Sequence, residues 1–108
     1  MAIDWDAIFK GALAAGAHAV RDSAPQVRDF LEQVLNGHRQ ALIELGEARA
    51  AGDLTKATFD SELADEEDVL KVELEAVTVL AKAVAQRAIN AFSKAFQDGL
   101  SAAIKLIV

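Results

Sequence analysis

One histidine and three glutamates hold most of the reactive potential of this 108-residue chain. Glu62, Glu66 and Glu73 recur at intervals of four and seven, so on a helix they share one flank. His38 lies in the preceding helical segment and faces that flank if the two segments fold back on each other. Imidazole and carboxylate together make a ligand set for iron, manganese or zinc. A carboxylate metal centre inside a helical bundle, however, draws its histidines from Glu-x-x-His pairs on the helices. Here the position three before His38 is Leu35, and the position three before His18 is Ala15. The expected state therefore has no metal and no cofactor. His38 is then a hydrogen-bonded interior histidine, and the glutamates are solvated or paired with Arg39 and Arg49. A carboxylate metal-binding protein, with an ion on His38 and Glu66, is the alternative.

Covalent catalysis has less to work with. The chain has no cysteine, which removes thiol catalysis, disulfide frameworks and zinc sites built on sulfur. Ser23, Thr55, Ser61 and Ser101 stand where helix caps belong. His18 sits among alanines with no acid placed to orient it. Gly11, Gly16 and Gly46 have neither dinucleotide-loop nor phosphate-loop spacing. The chain is not expected to be an enzyme.

Charge narrows the partners. The formal net charge is −6, and no basic stripe interleaved with aromatics appears, so a nucleic-acid partner is not expected. Eight acids and the single cation Lys71 fall within residues 60–75, whereas residues 76–108 hold four cations and one acid. Acids early in a helix and lysines late in it complement the helix dipole. Asp4 and Asp6 precede the first lysine, the reverse of a secretory signal, and a cytoplasmic location is expected. The longest uncharged run, Gly11 to Val20, is about half of what a membrane-spanning helix needs. Trp5, Ile8 and Phe9 could instead enter a lipid interface, which makes a peripheral membrane-surface protein a second alternative. Their helix lacks the Lys/Arg-rich polar face of a membrane binder, so these residues read as core or interface anchors.

The elements that must position these groups are helices. Hydrophobic residues make up 53% of an alanine-rich chain, enough for one core, and residues 1–108 read as a single helical domain. From about Asp4 to Val20, the residues Trp5, Ile8, Phe9, Leu13, Gly16 and Val20 form a helical stripe, with the small residues Ala7, Gly11, Ala14 and Ala15 beside it. Ser23 and Pro25 then mark a helix stop and a helix start. Val27, Phe30, Leu31, Val34, Leu35, His38, Leu42 and Leu45 continue at helical spacing, and the register runs through the Asn36-Gly37 dipeptide without a phase slip. One helix is therefore expected there.

Gly52-Asp53-Leu54-Thr55 ends that helix and starts another. Glycine suits the left-handed position after a helix, threonine suits an N-cap, and Leu54 with Phe59 fits a hydrophobic staple. An antiparallel helical hairpin follows. From Leu45 to Leu70 the chain resembles the hairpin of the SHOCT-type short domain, a helix and a G-x-[IL]-T turn with phenylalanine four residues on. The resemblance spans about a quarter of the chain and implies a two-helix hairpin there, with Thr58 standing where that family usually has an acid.

From Lys56 to Asp98 there is neither proline nor glycine, and the apolar spacing predicts one very long C-terminal helix of roughly 65 Å. The facing register of the hairpin then puts Leu35 near Val72 and Arg39 among Glu67 and Asp68. The long helix overhangs its partner and is apolar around most of its circumference beyond residue 76. The small-residue face of the first helix is expected to meet Ala81, Ala85, Ala88, Ala95 and Gly99. That leaves Val79, Ile89, Phe96, Leu100, Ile104 and Ile107 for a second chain, because a monomer exposing so large a patch is rare. The expected architecture is all-α: a three-helix chain with a central αα-hairpin, forming an oligomeric helical bundle. The expected function is structural, a self-associating module that serves as scaffold, adaptor or regulator, with itself as partner and another protein as a further candidate.

Overall fold

Local hydrogen bonds set the helix boundaries. The Asp4 carboxylate accepts from the Ala7 amide at 3.0 Å and opens α1, Trp5–Ala19. Pro25 occupies the first turn of α2, Pro25–Gly37, where a missing N–H costs nothing and the fixed φ is already helical. Helix α3, Arg39–Ala50, ends in a Schellman turn: Asp53 N–H donates to Ala48 O at 2.9 Å, Gly52 N–H donates to Arg49 O, and Gly52 takes φ +83°. Thr55 Oγ1 then accepts from the Thr58 amide at 3.1 Å and opens α4, Lys56–Val77. The last helix is α5, Lys82–Ile107. The computed structural model describes residues 3–77 and 82–107, and among them there are five helices and no strand.

Two expected helices are each divided. The second breaks at one residue, His38, whose φ of −107° and ψ of 7° lie off the helical pair between α2 and α3. Gly37, with no side chain to favour the helical backbone, lets the chain turn there. The third becomes α4 and α5, and the whole molecule measures 42 × 22 × 19 Å, too short for a rod of about 65 Å. The two helices run antiparallel. Lys56 and Phe59 at the start of α4 share a cleft with Leu100 and Lys105 near the end of α5, while Asp68 and Glu75 share another with Lys82 and Gln86. Helix α5 is continuous through Gly99, which Ile8 covers.

Helix α1 closes the bundle by lying antiparallel to α5 and to the α2–α3 pair. Its Phe9 ring meets Phe92 edge-on at 5.6 Å, and Gly16 is packed by Ala88, Phe92 and Leu31. Trp5 lies over Gly46 so closely that a Cβ there would be 2.7 Å from an indole carbon. The result is an up-down-up-down arrangement in which α2 and α3 form the broken second rod. Helix α1 uses Trp5, Ile8, Phe9, Ala12 and Gly16 for this packing, whereas Ala7, Gly11 and Ala14 of the expected small-residue face are exposed. Alanine and glycine bury little apolar area, so the larger side chains take the core side.

Coverage of α5 from two sides changes where the expected interface residues lie. Ile89 and Phe96 are fully buried and Leu100 nearly so, all inside the core of a single chain. Ile104 packs against that core and is partly buried. Val79, and the side chain of Ile107, lie outside the described residues. Covering Ile89, Phe96 and Leu100 needs no second copy, because α4, antiparallel to α5, supplies a neighbour that a single straight rod lacks. Leu35 is buried but Val72 is 66% exposed, and Arg39 sits 5.6 Å over the Phe9 ring and 3.3 Å from Asp6. A break at His38 rotates α3, which carries Arg39 away from Glu67 and Asp68 and toward α1.

Candidate functional site

The break between α2 and α3 places His38 against α4. Its Nε2 lies 2.7 Å from Glu73 Oε2, within hydrogen-bond distance. On the other side of the ring, Nδ1 lies 3.3 Å from Glu66 Oε2, but the alignment is too poor for a hydrogen bond, and that buried oxygen has no partner. One imidazole thus stands between two carboxylates that are seven residues apart on the same helix face.

Of the three glutamates expected to face His38, Glu66 and Glu73 do. Glu62 lines the neighbouring open cleft between α3 and α4 with Glu44 and Asp65. The arginines expected as partners for the glutamates are elsewhere: Arg39 pairs with Asp6, and Arg49 Nη1 donates to Leu54 O at 3.2 Å. Lys10 is the nearer cation to Asp6, at 3.0 Å. Its hydrogen bond, joined by the charge of Arg39, holds the Asp6 carboxyl below the usual aspartate range. The small contribution of that pairing is present above the unfolded-chain range and is lost as the pH falls through the lowered value.

Among the described residues, no three histidine, aspartate or glutamate side chains converge as a metal-ligand group. Among the described residues, the His38 side chain has its hydrogen bond with Glu73 and its ion-pair contacts with Glu66 and Glu73. The arrangement ties the α2–α3 junction to α4. What sequence reasoning missed is that His38 is the hinge residue itself, and the signal for it was the Asn36-Gly37 turn dipeptide just before it.

Because the His38 side chain is 20% exposed and Glu73 nearly half exposed, their pair contributes as a partly solvated one. Replacing His38 with alanine is expected to lower stability by about 1 kcal/mol, as read by urea unfolding. A loss of about 3 kcal/mol or more would mean that the cluster behaves as a desolvated charged network.

No described helix is long and apolar enough to cross a membrane. Comparisons with protein-family models, with curated proteins and with solved structures find no match.

Proposed function

We propose that this chain is a structural, non-enzymatic interaction protein: a helical bundle that pairs with a second copy of itself and acts as a scaffold, adaptor or regulator through its surface. The observation that supports this reading is the outer face of α4 and α5. Val69 and Val72 are exposed on α4 among Asp65, Asp68 and Glu75, while α5 beside it exposes Lys82, Arg87 and Lys94. A groove lined by Asp68, Lys71, Val72, Glu75, Lys82 and Gln86 runs between the two helices, with two acids against one lysine on the α4 wall. The face therefore carries an acidic half with apolar anchors and a basic half. A two-fold axis over the groove brings the acidic half of each copy onto the basic half of the other, so one chain supplies both complements. Nucleic acid is not among the proposed partners, since the acids dominate the charge. A cytoplasmic location fits the cysteine-free composition.

Light scattering at micromolar concentration and low salt is expected to give the mass of two chains. Val72→Glu adds a charge at an exposed position and is expected to leave the fold intact while shifting the mass to one chain. Raising the salt should weaken the dimer in the same direction, because exposed charges are screened. A monomeric unmutated chain under the low-salt condition would overturn self-association.

A further inference from the structure

We infer that the end of the bundle where α3, α4 and α5 meet binds a small amphiphilic anion, an acidic head on a short aliphatic chain. The site is a cleft of about 220 Å³ whose floor is Phe59, Leu100 and Ile104. Phe59 and Leu100 are almost completely buried, so the floor is a fixed part of the core. Around the rim stand Arg49, Lys56 and Lys105, with Asp60 as the only acid. Lys56 lies 2.8 Å from Asp60 and neutralises it, which leaves Arg49 and Lys105 as the rim cations without an ion-pair partner among the described residues. A chain with seventeen acids and eleven lysines and arginines thus gathers three of its cations at one apolar cleft.

The geometry sets the head and the tail. Arg49 is held in place by the bond from Nη1 to Leu54 O, and the remaining N–H groups of its guanidinium are donors for an anionic oxygen. Lys105, in the last turn of α5, adds a mobile second charge from the other wall. Ser101 supplies a hydroxyl on the same wall, and the Gln97 amide nitrogen is already donated to Ser93 Oγ at 3.2 Å. The tail lies on the phenyl, leucine and isoleucine floor. A short aliphatic chain suffices to cover a floor of three apolar side chains, and hexyl compounds are the probes for it. The inference does not depend on the proposed dimer.

The test is an NMR titration of the intact protein with hexanoate, hexyl phosphate, 1-hexanol and acetate. Saturable shifts at Leu100 and Ile104 are expected with hexanoate or hexyl phosphate at a Kd of about 1 mM, a value suited to so small a ligand. The tighter of the two heads identifies a carboxylate or a phosphate ligand. Hexanol, which lacks the charge, and acetate, which lacks the tail, are expected to bind at least about tenfold more weakly. Lys105→Gln alters an exposed side chain and should weaken the anion by roughly three- to tenfold without changing the helical circular dichroism. Arg49→Gln should weaken it further, and Val72→Glu should not affect it, which separates this site from the assembly face. No saturation with either anion, equal binding of hexanol and hexanoate, or an unchanged affinity in folded Lys105→Gln would overturn the inference.

Discussion

Replacing Ile89 with arginine is expected to unfold the protein, with loss of helical circular dichroism and precipitation. Ile89 is fully buried in a single chain, within the core that also holds Phe92 and Phe96. The substitution removes the burial of a large aliphatic side chain, worth about 2 to 5 kcal/mol when truncated, and adds an unpaired charge with no solvent path. A domain of this size has only about 5 to 15 kcal/mol in total, so the expected loss of at least about 4 kcal/mol leaves little folded protein. Leu106→Arg is the matched control, since Leu106 is 76% exposed, and it should change stability by no more than about 0.5 kcal/mol. A folded, soluble Ile89→Arg protein of reduced mass would instead put Ile89 at a contact between chains.

The second large effect is expected at Gly46. A side chain there meets Trp5 and, behind it, Phe96, whose ring carbon lies 3.4 Å from the position of an added Cβ. Alanine gains about 1 kcal/mol of helix propensity over glycine, but overpacking costs about 1 to 3 kcal/mol, so Gly46→Ala should be mildly destabilising. Gly46→Val adds two methyl groups against the indole and the phenyl, and a loss of about 3 kcal/mol is expected. Trp5 is the only tryptophan, so its fluorescence reads the displacement directly as a red shift when the indole leaves α3. Gly11→Ala provides the opposite sign, because nothing lies within 4 Å of a Cβ there, and it should stabilise by about 0.5 to 1 kcal/mol. If Gly46→Val were as stable as the unmutated chain with unchanged emission, the contact of Trp5 with α3 would be refuted.

Much of the candidate cluster was legible in the chain. The four- and seven-residue intervals put Glu66 and Glu73 on one flank, and the turn at Gly52 brought His38 opposite them, as the 2.7 Å and 3.3 Å separations show. The partners of Arg39 were not legible, because a single-residue break at His38 turns every later position of α3 about the axis. The antiparallel pairing of α4 with α5 had no signal in the spacing, because neither proline nor glycine interrupts Lys56 to Asp98. Propensity is a weak signal beside an unbroken apolar period, and the period alone favours one rod.

By itself the sequence determined that this chain is helical and where four of its boundaries lie. Asp4, Pro25, Gly52 and Thr55 act within four residues of themselves, through a carboxylate, a fixed φ, a left-handed glycine and a hydroxyl. Such devices are complete in local sequence, so reading them requires no knowledge of the fold. Which surfaces cover α5 was decided only by the tertiary structure. Ile89, Phe96 and Leu100 had to be buried by something, and periodicity expresses that need without naming the neighbour. A helix of the same chain and a helix of another copy are chemically equivalent covers. Only the antiparallel packing of α4 and of α1 along α5 assigns those residues to the core of one molecule.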